Sequence, residues 1–413
     1  MTTLFINIAQ LVGVREESVP LRGKALADLP MLPHSFLLVE DGLIIDWGHM
    51  DELEIKVPHL PVNVRDVAGQ FVLPAWCDSH THLVFAKSRE EEFVDKLKGK
   101  TYAEIAAKGG GILNSARVLE ATSEEELYQQ AMKRLKEVAR LGTGAIEIKS
   151  GYGLSVAGEL KMLRVAKRLK SQTDLVIKTS FLGAHTYPTM YKEDHDSYIN
   201  SIVQEMLPVI AAEKLADYID VFCEQGFFSV EEMETICTAG AQYGLKPKLH
   251  VNQLSSMGGV QAAIKLGAVS VDHLEVMTAA DVESLANSDT IGTLLPTAAF
   301  FLRMPFQPAR ALIDAGAAIA LASDFNPGSS PSGNMNFVVA LSCIQMKMLP
   351  EEAINAATLN GAFAMEVQQE AGSIAIGKKA NLIFTKPIPS LAYLPYSFGH
   401  NLIDKVMING VFY

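Results

Sequence analysis

The chain is 413 residues long and carries 35 Lys and Arg against 47 Asp and Glu, a formal charge of −12. Of its residues 49% are apolar and 20% charged, which excludes a chain-long disordered or fibrous protein. The acidic balance excludes the basic footprint of a nucleic-acid or membrane-surface binder, but it leaves room for a small anion held by a local arginine.

Length alone suits two or three domains, or one large α/β barrel with an appendage. The first ~65 residues read as short strands. The N-terminal stretch has no basic start and its apolar run is broken by Asn7 and Gln10, so it reads as a strand rather than a secretion signal. Val39 to Asp46 is a pair of apolar runs around Asp41-Gly42, a hairpin signal. The last ~40 residues have the same texture, in Asn381–Thr385 and Val406–Phe412. Chain ends often lie close together, so both ends can build one small sheet domain.

Between them, short apolar runs alternate with amphipathic helices. One helix is expected to start near Thr122-Ser123, with Glu125 and Glu126 placed for a capping box. Leu127, Ala131, Leu135 and Val138 share one face, and Gly142 stops it. Strands are expected at Phe71–Cys77, Ala145–Lys149, Leu175–Leu182, Tyr218–Cys223, Pro247–Val251, Ala268–Val271, Thr290–Leu295 and Ala317–Ala322. Eight such units match a (β/α)8 TIM-like barrel better than a doubly wound sheet.

A barrel places its chemistry just past the C-terminal ends of its strands. Those positions hold His80 and His82, Tyr152, His185, Glu224, His250 with Gln253, His273, Thr297, and Asp324 with Asn326. His80 and His82, two apart on an extended segment, point the same way and can share one cation. A hydrogen-bonded loop pair is the alternative for that motif alone. Adding His250 and Asp324 gives a His3Asp set suited to one Zn²⁺ or iron ion with a position left for water.

Other residues carry two readings each. Arg89 can take a carboxylate bidentately, or be a solvated member of the charged run Lys87–Glu92, with Arg303 as its competitor. Tyr152 between two glycines is a projecting ring or a packed rim aromatic. His185 is a site residue or a satisfied core histidine. Gly328-Ser329 offers backbone donors near an anion or is merely a turn. Gly109–Gly111 is no phosphate loop, since no Gly-Lys-Ser/Thr follows, and reads as a loop over the barrel mouth. Glu147 and Lys149 are placed to pair inside the barrel. Cys77, Cys223, Cys237 and Cys343 show no paired spacing, which suits free thiols in a reducing compartment and a cytoplasmic location. No apolar run reaches the ~20 residues needed to cross a bilayer.

Leu73-Pro-Ala-Trp-Cys-Asp-Ser-His-Thr-His82, Ala322-Ser-Asp324, the early hairpin and Gly372-Ser-Ile-Ala-Ile-Gly-Lys-Lys-Ala380 resemble the metal-dependent amidohydrolase superfamily. Within it, Gly109-Gly-Gly-Ile112, Ile146-Glu-Ile-Lys-Ser-Gly-Tyr-Gly-Leu154 and Ser323-Asp-Phe-Asn-Pro-Gly-Ser329 resemble the imidazolonepropionase family. The resemblance implies a composite β-sandwich of residues 1–67 and 373–413 around a catalytic barrel of residues 68–372. It implies one metal ion held by His80, His82, His250 and Asp324, because Cys223-Glu224 stands where dinuclear relatives need a carboxylated lysine. Arg89, Tyr152, His185, Asn326, Gly328 and Ser329 correspond to the family's substrate-binding residues.

The implied reaction opens the ring of 4-imidazolone-5-propanoate to N-formimidoyl-L-glutamate, in histidine degradation. Metal-held hydroxide attacks the ring carbonyl, His273 stabilises the oxyanion, and Asp324 shuttles the proton. Gln253 stands where several relatives have Glu and cannot accept a proton, which moves that role to Asp324 or His273. Asn381 replaces an Asp common in the superfamily and lies outside the barrel. A homodimer is the implied assembly. An aromatic-base deaminase on the same scaffold, or a metal-free scaffold protein, are the competing readings.

Overall fold

Two eight-stranded sheets organise the chain in the computed structural model, which describes residues 1–100, 104 and 110–413. The N-terminal end supplies β1 (Thr2–Val12), β2 (Met31–Glu40), β3 (Leu43–His49), β4 (Asn63–Asp66) and β5 (Phe71–Pro74). The middle supplies β6 (Trp76–Asp78), β7 (Thr143–Lys149), β8 (Val176–Ala184), β9 (Tyr218–Cys223) and β10 (Lys246–Val251). It continues with β11 (Ser270–His273), β12 (Ile291–Leu294) and β13 (Ile319–Leu321). The C-terminal end adds β14 (Leu382–Thr385), β15 (Ile403–Ile408) and β16 (Val411–Phe412).

The ends of the chain do share one sheet, in the order β16-β15-β14-β5-β1-β2-β3 with β4 beside β1. It is mixed: β1 runs antiparallel to β2 but parallel to β4 and β5, and β14 joins β5 antiparallel. The Asp41-Gly42 turn closes the β2–β3 hairpin as its dipeptide predicts. The sheet curls on itself, since Ile44 N–H donates to Lys378 O at 2.9 Å and Ala380 N–H to Gly42 O at 2.7 Å. The curl encloses Phe5, Leu37, Ile44, Val72, Phe384 and Met407 in one cluster. Phe5 and Phe384 ring centroids are 4.9 Å apart, and burying each such side chain is worth ~1.5–3 kcal/mol. Asn381 is structural here, its Oδ1 accepting from Asn409 N–H at 2.8 Å.

The single strand expected over Phe71–Cys77 is two. Phe71–Pro74 pairs with β1 and β14, whereas Trp76–Asp78 pairs with β7. The chain changes sheets at Ala75, whose N–H goes to Asn381 O at 2.8 Å while the next N–H goes to Gly142 O at 2.8 Å. A continuous apolar run hides such a switch because both halves are buried.

The second sheet is all parallel, in the order β6 to β13. The ring is drawn together just beyond its first and last strands. There His82 N–H donates to Phe325 O at 2.9 Å and Asp324 N–H to His80 O at 3.0 Å. Helices cover the outside. Glu124–Arg140 starts on Ser123, whose side chain accepts from Glu126 N–H, and buries Leu127, Ala131, Leu135 and Val138. Its expected stop, Gly142, has φ +102°, open to glycine at little cost. Cys77, Cys223 and Cys237 are buried and all four cysteines are free. No helix among the described residues is long and apolar enough to cross a membrane.

The barrel interior departs from the usual branched apolar filling. Glu147 and Lys149 on β7, Asp220 on β9, Lys248 on β10 and Asp272 on β11 are all buried. Lys149 Nζ lies 2.7 Å from Glu147 Oε1, the pairing expected of these two residues.

Candidate active site

Alternation along each parallel strand turns every second residue inward, and the last inward residue of several strands is polar. Closure through His80, His82, Asp324 and Phe325 sets the end of β6 beside the end of β13. Asp78 reinforces that seam, accepting from Ser323 N–H at 2.9 Å and Ser323 Oγ at 2.6 Å. His273 at the end of β11 has φ +90° and Asp324 has φ +51°. Non-glycine residues in such regions cost ~1–3 kcal/mol and persist where the surroundings fix them.

His80, His82 and His250 are buried, and one ring nitrogen of each lies within 4.8 Å of the others. Asp324 Oδ1 is 3.4 Å from His80 Nε2 and 3.6 Å from His82 Nε2. The other ring nitrogens are anchored. His80 Nδ1 pairs with Asp272 Oδ2 at 2.7 Å, and His250 Nδ1 with Asp220 at 2.9 Å. His82 Nδ1 faces Ser150 O at 3.4 Å. A carboxylate or carbonyl on Nδ1–H fixes the tautomer that leaves Nε2 with a lone pair. The buried Nε2 atoms of His80 and His250 have no hydrogen-bond partner, and such orphans are rare unless something else satisfies them. Three neutral imidazoles and a carboxylate fit one zinc or iron ion.

Electrostatics agree with that donor set. Burial pulls His80, His82 and His250 well below the ordinary imidazole value, with neighbouring cations and imidazoles adding to it, so the rings are neutral. Burial likewise lowers His185 to about 4. It raises Asp324 to about 7 against the pull of His273 and Asn326. His273 goes the other way: burial lowers it, but Glu275, 3.4 Å from its Nδ1, and Asp324 raise it more. Lys149 is also raised, because Asp220, Glu147 and Asp272 outweigh its desolvation.

A cavity of about 50 Å³ opens over this cluster. It is lined by His82, Tyr152, His185, Phe222, His250, Gln253, His273, Asp324, Asn326 and Ser329. Of these, sequence reasoning missed only Phe222. His80 lies beneath, fully buried. His185 stacks on His82 with centroids 5.4 Å apart and 16° between planes, and its Nδ1 faces Gly151 O at 2.9 Å. A Cβ at Gly151 would meet His185 Nδ1 at 2.8 Å, and its φ is +111°, so only glycine fits there. Burial and Asp324 push the Tyr152 phenol above its ordinary value, keeping it neutral.

The β13 loop is built around Asn326. Its Oδ1 accepts from Gly328 N–H at 2.7 Å and Ser329 N–H at 2.8 Å. Its Nδ2 donates to Asp324 O and Ser329 Oγ, both at 2.7 Å. The two backbone donors expected at Gly328 and Ser329 are therefore spent within the loop. Ser329 Oγ reaches Asp324 Oδ2 at 3.4 Å.

Arg89 caps the start of the helix Glu90–Leu97 and lines a recess beside the cavity, with Lys87, Glu92 and Asn114. A Cβ at Gly328 would meet its Nη1 at 2.5 Å, so Gly328 gives the guanidinium room. Glu92 Oε2 accepts from Arg89 Nε at 2.9 Å and Nη2 at 2.5 Å, and Glu92 Oε1 accepts from Gly111 N–H at 2.9 Å. Gly109 of the expected glycine loop lies outside the described residues. Arg303 is exposed and lines a separate recess with Phe93, Leu97 and Phe301. Glu224 takes Leu254 N–H at 3.0 Å and Ser255 Oγ at 2.7 Å, bracing the loop that carries Gln253.

Sequence reasoning did not find Asp220, Asp272, Glu92 or Glu275. A single acid at an inward position of a short apolar strand was the available signal for the first two. Glu92, three residues after Arg89 on a helix, was in reach as an i,i+3 partner.

The amidohydrolase family matches residues 71–412 of the chain. The imidazolonepropionase of Flavobacterium johnsoniae is 57% identical over 412 residues, 99% of each chain. That of Christiangramia forsetii is 52% identical over 412 residues, again 99% of each. Among solved structures, E. coli guanine deaminase superposes with a TM-score of 0.76 at 13% identity, covering 100% of this chain and 99% of that one. At that identity the likeness shows the fold alone.

Proposed function

We propose, for a chain that belongs to the amidohydrolase family and within it to the imidazolonepropionases, that it hydrolyses 4-imidazolone-5-propanoate to N-formimidoyl-L-glutamate in histidine degradation. The observation that carries the site is the convergence of His80, His82 and His250 on the Asp324 carboxylate, with the Nε2 atoms of His80 and His250 buried and without a hydrogen-bond partner. These four residues would hold one zinc or iron ion per subunit. Such an ion polarises a carbonyl and lowers the pKa of water it holds toward ~7.

The chain's own groups supply the rest. Asp324, with Oδ1 beside the Nε2 atoms of His80 and His82 and Oδ2 facing Ser329 Oγ, is suited to take a proton from the attacking water and pass it to the departing ring nitrogen. His273, with its raised pKa, donates to the carbonyl oxygen as negative charge develops there. Asn326 and Ser329 fix the Asp324 side chain and backbone. Gln253 orients water through hydrogen bonds but takes no proton. Tyr152 and His185 enclose the ring. Arg89 binds the propanoate carboxylate, which then shares the guanidinium with Glu92, and Gly328 lets that guanidinium lean over the cavity.

This reading divides the chain into the composite unit of residues 1–67 and 373–413 and the catalytic unit of residues 68–372, and takes the enzyme as a cytoplasmic homodimer. Its test is consumption of 4-imidazolone-5-propanoate with identification of the product. N-formimidoyl-L-glutamate supports it. No turnover of that ring, with ammonia released from guanine or cytosine, would overturn it in favour of a deaminase.

A further inference from the structure

The charged side chains filling the barrel lie below the cavity, and their role reaches beyond closing the interior. Lys149 Nζ is 2.7 Å from Glu147 Oε1, 2.8 Å from Asp220 Oδ2 and 3.5 Å from Asp272 Oδ2. Two of those three carboxylates also hold the histidines. Asp220 Oδ1 accepts from both the backbone N–H and the Nδ1 of His250, at 3.1 and 3.0 Å. Asp272 Oδ2 takes His80 Nδ1 at 2.7 Å, while its Oδ1 takes Ser270 Oγ at 2.6 Å.

Lys248, the other interior ammonium, is placed differently. It contacts Glu147 Oε2 at 3.0 Å, Ser270 Oγ at 2.9 Å and Ala364 O at 2.6 Å. Among the described residues, Lys149 alone ion-pairs with both histidine-holding aspartates. It does so from β7, reaching across the interior to β9 and β11. His80 and His250 arrive from β6 and β10, which do not neighbour each other in the sheet.

We infer that Lys149 is a positioning residue for the metal centre, acting through Asp220 and Asp272 to fix the rings of His80 and His250 together. Two carboxylates in one buried, low-dielectric interior repel, and an ammonium between them removes that repulsion and sets both orientations. Each carboxylate then accepts an Nδ1–H and leaves Nε2 free to ligate. Such outer partners are worth 10- to 100-fold in metal affinity, roughly. Without Lys149 both anchors turn, and two of the four ligands lose their aim in one step.

The inference rests on the metal-binding reading above, and the experiment separates the two. Zn²⁺ affinity of the full-length protein is measured by competition with a chelator, for the unaltered chain and for Lys149→Met, Glu147→Gln and the double variant. The melting temperature of each metal-free protein is recorded alongside. Glu147→Gln disturbs the same interior, since Glu147 touches Lys149, Lys248 and Ser180 but neither histidine. The double variant keeps the interior's net charge and carries the test if Lys149→Met alone does not fold.

We expect Lys149→Met and the double variant to bind Zn²⁺ about 10- to 100-fold more weakly, and Glu147→Gln to stay within about twofold of the unaltered chain. Affinity within about twofold in Lys149→Met, or an equal loss in Glu147→Gln, would overturn the inference. Failure of both Lys149 variants to fold would overturn it as well, by assigning Lys149 to the fold. An unaltered chain that binds no Zn²⁺ or iron would instead overturn the metal-binding reading.

Discussion

The curled terminal sheet and the barrel bury opposite kinds of side chain along their inner faces. The sheet encloses Phe5, Leu37, Ile44, Phe384 and Met407, while the barrel encloses Glu147, Lys149, Asp220, Lys248 and Asp272. Packing is non-directional, so the first set stabilises wherever shape allows. Buried ions cost several kcal/mol each in desolvation, and good geometry does little more than offset that. What the barrel gains is direction: two of its three interior carboxylates point at imidazoles. The sheet's inner face is packed, and the barrel's inner face aims a handful of nitrogens.

The barrel side is most sensitive at Asp324. Asp324→Asn in metal-loaded protein should lower kcat by roughly a thousandfold or more, because the amide neither accepts nor returns a proton. Near-normal turnover would remove Asp324 from proton transfer. Arg89→Ala should raise KM by about 10- to 100-fold with a smaller change in kcat, the loss of a charge-assisted pair to the substrate carboxylate. Steady-state kinetics over a range of substrate separate the two parameters.

Phe384→Ala probes the packing of the terminal sheet. It should cost about 3–5 kcal/mol in denaturant unfolding, with kcat and KM of the folded enzyme unchanged. A large kinetic effect would mean the terminal sheet also shapes the site. The smallest effect is expected from Arg303→Ala. That side chain is exposed and lies off the cavity, so KM should stay within about twofold. A KM rise matching that of Arg89→Ala would move the carboxylate site.

The same contrast explains what was legible from the chain alone. His80, His82, His250, His273 and Asp324 stand out because strand ends are where a parallel barrel puts chemistry, and their residue types carry it. The Asp41-Gly42 hairpin is equally local. Asp220 and Asp272 are not, since each is one acid in a short run whose meaning depends on which strands face it across a closed ring. The same holds at Ala75, where one apolar run serves two sheets, and no local pattern marks the switch. Gly328 read as a donor or a turn. Its contact with Arg89 depends on a loop and a helix 239 positions apart in the chain, so its steric role appears only in three dimensions.

In the function proposed above, His80, His82, His250 and Asp324 hold the ion on which ring opening depends. The most direct test follows loss of 4-imidazolone-5-propanoate before chelation, after chelation, and after adding back Zn²⁺ or Fe²⁺ in measured amounts. Turnover should be lost on chelation and should recover with saturation at one ion per chain. Full activity in protein shown by elemental analysis to hold no metal would contradict it.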